Sequence, residues 1–568
     1  MKNLKYILIL LLLCNILSCK KSFLQLNPQG ELTPEQLSTQ EGVEGLLIGA
    51  YGLLNGNVNG TWGNYGAAPS QWLFGEVASD NAHKGSKSAD QPNMNAIEQH
   101  APTSTNDNLS NIWDRCFEGI QRCNNTLKFL TTVQAGSGKF TDARAAQIQG
   151  EARLLRAHYY FFLKRIFKDV PMITEATTET TVANDKDIYP EITADLQFAV
   201  ANLTTTKYLG QAGRVDKYIA QAYLGKVLLY QKKYPEAYEQ LNTVIFAKPN
   251  LVDLPFMDNF NIDRENQPEA LFAVQHAVGS DGTGGDNGNV GDMLNNPEAL
   301  ASCCGFFQPS VDLANAYKVD ANGLPFLDGS YRNNPYVSDF LVPDNLKETY
   351  VLNQTINFDP RIDYTMGRRG VDYRTGHGIM PGNAWIREAE SAGPFITLKN
   401  VLDKAQIASG TAPGALNISG LNVNLIRLAD VYLMAAECAV ENGDLGRALV
   451  LVNRVRERAA KLTPKTAANN TSAAVYRINQ YTAFATADYA RNAVRMERRL
   501  ELAMEGHRFY DLARWGIAKQ TLESYFGFEG QYIIYLKGLT IETRDDHFPL
   551  PQDQIDRSQG ILKQSTGY

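Results

Sequence analysis

The chain has few cysteines, and their spacing suits neither a disulfide framework nor a zinc site. Seven occur in 568 residues, two of them within the first 19. The other five are Cys116, Cys123, Cys303, Cys304 and Cys438. The first two of these lie two helical turns apart, about 10 Å, which is farther than a disulfide reaches. The adjacent pair has no second Cys or His pair beside it for zinc. An odd number without paired spacing predicts buried or free thiols.

The sequence also lacks a basic cluster and a hydrophobic run of membrane-spanning length. The formal net charge is -7, which argues against a nucleic-acid partner because phosphates require concentrated basic charge. At the N-terminus, Lys2 and Lys5 precede a short apolar run, and Cys19 follows a small residue. This order is typical of a bacterial lipoprotein signal. We therefore expect residues 1–18 to be removed and Cys19 to carry lipids, with an ordinary secretory signal as the alternative.

Common catalytic motifs are missing as well. The sequence contains no His-Glu-x-x-His, no Gly-x-Ser-x-Gly and no complete Walker motif. The run around Gly136 and Lys139 lacks both the upstream glycine and the Ser or Thr that a Walker motif needs. A carboxylate pair for glycoside hydrolysis stays open, because its two members can lie far apart in a chain. The motifs thus favour a protein that is not an enzyme.

A Gly- and Asp-rich run, Gly279–Asp292, raises the question of calcium. Its carboxylates Asp281, Asp286 and Asp292 are oxygen ligands of the type that calcium prefers. The run lacks the spacing and the final Glu of an EF-hand loop. We expect a surface loop there, and we predict no metal and no cofactor.

Patterns typical of α-helices are frequent in the sequence. In Asp216–Pro249, small residues at Gly225 and Ala237 are twelve positions apart, as in a tetratricopeptide repeat, and Leu425–Arg458 shows the same spacing. Small residues at these points let two helices approach closely. Residues 251–424 separate the two segments and are rich in Gly, Pro, Asn and aromatic residues. A stretch of that length predicts a folded, loop-rich lobe.

One stretch near the C-terminus, Glu497–Gly516, carries a specific signature. Glu497, Glu501 and Glu505 recur every four residues on a predicted amphipathic helix, which we interpret as a charged helix joined to its neighbours by ion pairs. Its Arg-Arg-x-Glu-Leu-x-x-Glu-Gly-x-Arg-x-Tyr-Asp-Leu-x-Arg-Trp string resembles the SusD/RagB family, lipoproteins with which Bacteroidetes capture nutrients. Shorter landmarks agree with this resemblance, namely Gly75–Asn81, Trp113–Asn124, Thr141–Phe167, Phe358–Arg361 and His547–Pro551.

The resemblance implies a mostly α fold, a right-handed helical scaffold of tetratricopeptide-like helix pairs with an inserted loop-rich lobe. On this basis we predict a signal peptide at 1–18, an N-terminal region with helix pairs and ligand loops at 19–250, the insertion at 251–424, and C-terminal helix pairs with a closing tail at 425–568. It also implies a lipid anchor in the outer membrane, facing the cell exterior, and a SusC-like TonB-dependent transporter as partner. Lys20-Lys21 departs from the acidic residues that often follow the lipidated cysteine in surface-exported members.

A glycan site needs flat aromatic faces and fixed polar groups on loops held by a rigid scaffold. The Gly/Asn-rich loop supplies Trp62 and Tyr65, and family members use the region that holds Asp80, Asn81 and His83 for ligand. The insertion supplies candidates for an opposite wall. They are Tyr336, Tyr373, His377 and Trp385.

Three functions stay open at this point. The first is capture of a glycan, an oligo- or polysaccharide, and its delivery to the transporter. The second keeps the fold but takes peptide as cargo, as the RagB branch of the family suggests. The third is a glycoside-cleaving enzyme, which the absence of catalytic motifs disfavours.

Overall fold

The computed structural model describes residues 33–57, 64–279, 287–301 and 303–568. The helices are α1 (Pro34–Leu37), α2 (Gln40–Gly52), α3 (Pro92–Glu98), α4 (Asp107–Gln134), α5 (Asp142–Phe167), α6 (Tyr189–Asn202), α7 (Lys217–Tyr230), α8 (Tyr234–Ala247), α9 (Glu298–Ala301), α10 (Val311–Ala316), α11 (Ile362–Thr365), α12 (Ala389–Ala392), α13 (Ile407–Gly410), α14 (Leu428–Glu441), α15 (Leu445–Ala459), α16 (Ala487–Leu502), α17 (Arg508–Arg514), α18 (Ala518–Glu529) and α19 (Gln552–Arg557).

The strands are short and pair two by two. They are β1 (Ala82–Gly85), β2 (Ala270–Val274), β3 (Phe306–Pro309), β4 (Asn357–Phe358), β5 (Met366–Gly367), β6 (Ile396–Thr397), β7 (Thr411–Ala412), β8 (Ala415–Ser419), β9 (Val423–Arg427) and β10 (Val475–Tyr476). The pairs β1–β3, β2–β9, β5–β6 and β7–β8 are antiparallel, and β4–β10 is parallel. None of the helices in these ranges combines the length and apolar content that a bilayer crossing requires.

The long helices form one continuous array. Each of α4, α5, α6 and α7 packs against the next helix in the chain, ending with α8. The helix α8 then packs against α14, which lies beyond the insertion, and α14 packs against α15 and α16. The two tetratricopeptide-like pairs are therefore neighbours in space although 180 residues of chain separate their helices α8 and α14. The mostly α scaffold with an inserted loop-rich lobe is confirmed.

The small residue at position 225 lets the first pair close. A β-carbon added to Gly225 would stand 2.6 Å from Cγ of Leu241 and 3.3 Å from the carbonyl oxygen of Ala237, so the helices would have to separate. A capping carboxylate begins the first helix of one pair and the second helix of the other. Asp216 accepts a hydrogen bond from the N–H of Ile219 at 2.9 Å, and Asp444 caps α15 in the same way, which satisfies N–H groups that a helix start leaves unpaired.

A column of buried carboxylates runs along α16 and the turn that follows it. Glu497 accepts hydrogen bonds from Arg361 at 2.7 Å and from Arg456 at 2.9 Å. Glu501 accepts from Arg427 at 2.7 Å and from Arg361 at 3.1 Å. Each of these side chains is at most 1% exposed. Because α16, the insertion, α15 and β9 all contribute to the column, it joins the lobe to the scaffold.

The charges in this column stay ionised because their partners outweigh burial. Burial raises the pKa of Glu501, but the guanidinium groups around it, that of Arg458 first, have the larger combined effect and lower the pKa to about 2. Glu505, the third carboxylate, is bound by Arg427 at 2.6 Å and Lys399 at 2.5 Å. The predicted role of these carboxylates as ion-paired attachments to neighbouring segments is confirmed.

The pairings expected across turns of the same helix are wrong. Spacings of three residues in the sequence predict contacts of Arg498 with Glu501, and of Arg508 with Glu505 and Asp511, across turns of one helix. In the structure Arg498 binds Asp430 and Asp511. The helix ends at Leu502, and the backbone turns before α17 begins, so α16 and α17 do not share one helical face.

The segment Gly75–Asn81 packs directly on this turn. The Oε1 atom of Glu76 accepts hydrogen bonds from the N–H groups of residues 505, 506 and 507 at 3.0 to 3.2 Å. A β-carbon on Gly75 would come within 2.1 Å of the carbonyl oxygen of Gly506. Asp80 binds Arg508 at 2.7 Å. Two sequence landmarks of the resemblance are therefore the two sides of one interior contact.

The cysteines differ in part from expectation. Cys116, Cys123 and Cys438 are buried free thiols, and burial raises the pKa of each. Cys303 and Cys304 form a disulfide between adjacent residues, so the prediction of free thiols is wrong for this pair. Cysteine spacing did not predict this bond because the two cysteines are adjacent in the sequence.

The Asp80–Arg508 pair provides a test of the interior ion pairs. Replacing Arg508 with alanine leaves the Asp80 carboxylate, whose side chain is 1% exposed, without one of its partners. We expect Arg508→Ala to lower the free energy of unfolding in urea by about 3 kcal/mol. Ligand affinity of the folded fraction should stay at the wild-type level, because the pair lies inside the protein.

The matched control for this variant is Arg454→Ala, which removes an exposed pair with Glu457. That change should cost less than ~1 kcal/mol. Weaker ligand binding by Arg508→Ala at an unchanged melting temperature would contradict the structural role.

Candidate functional site

The residues proposed from the sequence fall in different parts of the molecule. Trp62 lies outside the described residues, as do Asp281 and Asp286 of the proposed calcium run. Asp292 is buried, and its carboxylate accepts hydrogen bonds from Ser70 and from Asn289, the latter at 2.7 Å. Among the described residues no group of three or more His, Cys, Asp and Glu side chains is arranged to hold a metal ion.

Asp80, Asn81 and His83 lie in the interior, which corrects their assignment to a ligand surface. All three are at most 1% exposed. Asp80 binds Arg499 and Arg508, and Asn81 binds Glu76 and Arg499. Their hydrogen-bonding capacity is used by the protein itself, and no ligand surface reaches them. We therefore leave them out of the candidate site.

His83 stands between two buried carboxylates. Its Nδ1 lies 2.9 Å from Oε1 of Glu98, and its Nε2 lies 2.9 Å from Oε1 of Glu529. Burial alone would lower the pKa of His83, but the two carboxylates outweigh it and raise the pKa to about 9. The ring is thus a cation at neutral pH, and it joins β1 to α3 and to the end of α18.

A cavity of about 700 Å³ opens within the loop-rich lobe, and we call it the Tyr336 cavity. Its described lining is Lys318, Phe326, Ser330, Asn333, Asn334, Pro335, Tyr336, Val337, Ser338, Tyr350, Val351, Asn353 and Ile356. Three aromatic rings and three amide side chains are among them, and no lining residue is Asp or Glu. The volume falls within the range of about 300–1,000 Å³ that is usual for ligand pockets.

The loop that forms one wall of this cavity is fixed from behind. Asn315 of α10 accepts a hydrogen bond from the N–H of Tyr336 at 2.8 Å and donates one to its carbonyl oxygen at 2.9 Å. The ammonium group of Lys318 donates to the carbonyl oxygens of Tyr331, Asn333 and Asn334 at 2.8 to 3.1 Å. The amides of Asn333 and Asn334 are exposed at the surface of the fixed loop.

Tyr336 combines a buried ring with a place in the cavity wall. The ring packs edge-on against Phe358 with centroids 5.4 Å apart and contacts Phe395 at 5.9 Å. Tyr350 stands beside it, half-buried, and burial together with the Tyr336 phenol raises the pKa of Tyr350. Tyr350 was not among the aromatic residues predicted from the sequence, although Asn353 and Asn357 follow it closely. Val351 next to it is 83% exposed.

Tyr65 and Trp385 are both partly buried and belong to different parts of the chain, the N-terminal region and the lobe. Tyr65 is half-buried, and burial followed by the nearby Asp90 carboxylate raises its pKa. Asp90 lies 3.4 Å from Arg387, two residues after Trp385. Tyr65 packs against the main hydrophobic core, whereas Trp385 packs against the small cluster that contains Tyr373.

Tyr373 and His377 serve mainly as support behind Trp385. The Tyr373 ring is 1% exposed, its hydroxyl donates to the carbonyl oxygen of Thr397, and it packs edge-on against Trp385 at 5.6 Å. Nε2 of His377 lies 2.9 Å from the carbonyl oxygen of Leu402, and burial lowers the pKa of the ring. Trp385 is not among the described residues that line the Tyr336 cavity.

Two family profiles match large parts of this chain. A profile described as the SusD family matches residues 268–568. The chain belongs to the SusD family. A second profile, described as starch-binding associating with outer membrane, matches residues 22–229. The two matches together include both tetratricopeptide-like regions apart from α8, and the SusD match contains the whole Tyr336 cavity.

Relatives of this SusD-family chain extend over nearly its whole length. SusD-like protein P25 of Formosa agariphila is 22% identical over 597 aligned positions, which cover 99% of this chain and 98% of the relative. A SusD-like protein of Bacteroides ovatus is 24% identical over an alignment that covers 73% of this chain and 66% of the relative.

Solved structures of similar proteins show the same fold. A SusD superfamily protein from Bacteroides vulgatus superposes with a TM-score of 0.68 at 19% identity, covering 94% of this chain and all of the other. A laminarin-binding SusD-like protein gives 0.64 at 22% identity, with 93% and 100% covered. Surface glycan-binding protein A from Bacteroides fluxus gives 0.67 at 20% identity, with the same two coverages.

The charged state of His83 leads to a prediction about pH. A histidine whose pKa is raised on folding stabilises the fold fully below its unfolded pKa of about 6.5 and loses that contribution as pH rises through about 9. The difference in unfolding free energy between wild type and His83→Gln should therefore shrink by up to ~3 kcal/mol between pH 6 and pH 10. Urea denaturation across that range measures it.

His377→Gln is the matched control, because burial lowers rather than raises the pKa of His377. Its difference from wild type should change by less than ~1 kcal/mol over the same interval and in the opposite direction, because wild type gains stability as pH rises through the unfolded pKa of about 6.5. A His83→Gln difference that is constant from pH 6 to pH 10 would show that the ring is neutral between the two carboxylates.

Proposed function

We propose that this protein captures a glycan at the cell surface and delivers it to a SusC-like TonB-dependent transporter of the outer membrane. The observation that carries the proposal is the Tyr336 cavity, which offers aromatic rings and fixed amides in the loop-rich lobe of a SusD fold. The names of the laminarin-binding and surface glycan-binding proteins of the same fold support a glycan as the ligand.

The lining of the cavity suits a sugar chemically. Aromatic faces pack against the C–H surfaces of sugar rings, and amide and hydroxyl groups exchange hydrogen bonds with sugar hydroxyls. Here Tyr350 provides an accessible ring, and Asn333 and Asn353 provide exposed amides. Glycoside cleavage by the usual route needs two carboxyl groups beside the bond, and the described residues that line the cavity include none. The cavity therefore favours binding over cleavage.

A longer glycan would extend beyond this cavity. Tyr65 and Trp385 are partly buried aromatic residues outside the described lining of the Tyr336 cavity, and Trp62 is close to Tyr65 in sequence. We assign these three aromatic residues to further sugar contacts. Aromatic side chains give large contact areas with few rotatable bonds, so several spaced platforms strengthen the binding of a chain of sugars.

The membrane part of the proposal rests on the N-terminus and on the family. Cys19 would carry the lipid anchor, and two or more acyl chains hold a protein stably where one does not. The profile that matches residues 22–229 is described as associating with outer membrane. The helical scaffold would then contact the transporter while the lobe holds the glycan, with the protein facing the cell exterior.

Isothermal titration of the purified protein against a panel of glycans tests the site. Tyr350→Ala should weaken binding of the best glycan at least about tenfold, which corresponds to ~1.4 kcal/mol. Tyr489→Ala is the matched control, because Tyr489 is an exposed tyrosine at the start of α16 on the scaffold. Wild-type affinity in Tyr350→Ala would remove the Tyr336 cavity from the binding site.

Two further arms separate the alternatives. Trp62→Ala in the same titration tests the loop aromatic, and unchanged affinity would remove Trp62 from the site. Titration with a peptide library tests the RagB-type function. Tight binding of peptide without binding of glycan would support that function in place of glycan capture. Reducing-sugar release from the bound glycan by the purified protein would reveal an enzyme.

A further inference from the structure

A second, smaller cavity lies where the two tetratricopeptide-like pairs meet. It has a volume of about 160 Å³ and is bounded by the turn after α7, the end of α14, the face of α16 and the end of α17. Pockets for drug-sized ligands are about 300–1,000 Å³, so this one suits a single small group. It is built from the scaffold and shares no lining residue with the Tyr336 cavity.

Cations outnumber carboxylates in its lining. The charged lining residues are Lys232, Glu437, Glu441, Arg491, Arg495 and Arg514. Both carboxylates already have partners. Glu437 binds Arg514 at 2.8 Å and accepts from the indole N–H of Trp515 at 3.0 Å. Glu441 binds Arg491 at 2.7 and 3.0 Å. Two cations therefore remain without an anionic partner within the described chain.

Arg495 is the inner one of these two. None of the described carboxylates lies within 4.0 Å of it, and its Nε is buried without a hydrogen-bond partner. Its guanidinium lies over the Trp515 ring, 4.9 Å from the centroid. Burial lowers the pKa of Arg495, and with the guanidinium groups of Arg491 and Arg514 it outweighs the opposite effect of the Glu437 and Glu441 carboxylates. Lys232, exposed on the turn between α7 and α8, stands at the opening.

We propose that this cavity binds one small oxyanion, a carboxylate, sulfate or phosphate group, held by the guanidinium of Arg495 and the ammonium group of Lys232. An arginine presents several N–H donors in a planar fork that fits such an anion, and the bond gains from charge on both sides. The anion arrives either free or as the acidic substituent of a sugar. This inference is independent of the glycan proposal, because it uses other residues and another surface.

Isothermal titration with sodium sulfate, sodium phosphate and sodium acetate, at ionic strength held constant with sodium chloride, tests the inference. We expect saturable binding of at least one of the three anions with a stoichiometry of one. Arg495→Gln should reduce that affinity at least tenfold. Lys232→Gln, at the exposed opening, should reduce it about threefold with no effect on the fold. Arg454→Gln, an exposed arginine of α15 paired with Glu457, is the matched control and should bind as wild type.

The source of the anion is resolved in a second set of titrations. Glucuronate and glucose 6-sulfate are compared with glucose, and binding of an acidic sugar but not of glucose shows that a sugar substituent is accepted. Binding of sulfate, phosphate or acetate but of no acidic sugar shows that a free anion is the ligand. Equal binding of glucose, or equal anion affinity in wild type and both cavity variants, would overturn the proposal. So would the absence of saturable binding by every anion.

Discussion

The structure depends on burying the carboxylates of α16 at full charge. Removing a carboxylate from water costs several kcal/mol, and attraction by cations repays this only where the geometry is close. Glu497 and Glu501 meet that condition because Arg361, Arg427 and Arg456 reach them from three separate segments. The column therefore forms only when the insertion, β9 and α15 are all in place. That requirement fixes the lobe relative to the scaffold far more tightly than apolar contact alone, which tolerates rearrangement.

The same network extends to the candidate site. Arg499, next on α16, binds Asp312 of α10 at 2.7 Å and donates to the Tyr331 hydroxyl at 3.0 Å. Asn315 on that short helix holds the backbone of Tyr336, so the cavity wall is attached to α16 through α10. A binding wall supported in this way keeps its shape before the ligand arrives, and less entropy is lost on binding.

The parts of the fold that depend on local pattern could be predicted from the sequence, and the parts that depend on distant partners could not. Gly225 and its spacing to Ala237 indicated a close helix pair, because the contact lies within one repeat. Arg508, which binds Asp80, and Glu529, which binds His83, each lie more than 400 residues away along the chain. Polarity therefore suggested exposure for them, while the structure buries them. Tyr350 was missed for a related reason, since nothing in its own segment shows that it stands beside Tyr336.

The two cavities show how the same packing produces different chemistry. In the lobe, short irregular segments leave backbone carbonyls for Lys318 to bind, and the remaining lining is neutral, as a ligand rich in hydroxyls requires. At the junction of the helix pairs, the charged faces of α14, α16 and α17 meet. Glu437 binds Arg514 there, and Glu441 binds Arg491. The guanidinium of Arg495 lies over the Trp515 ring and binds neither carboxylate directly. The Nε of the half-buried Arg495 has no acceptor within the described chain, and a buried donor without an acceptor is unfavourable, so an anion from solution is the group that completes this junction.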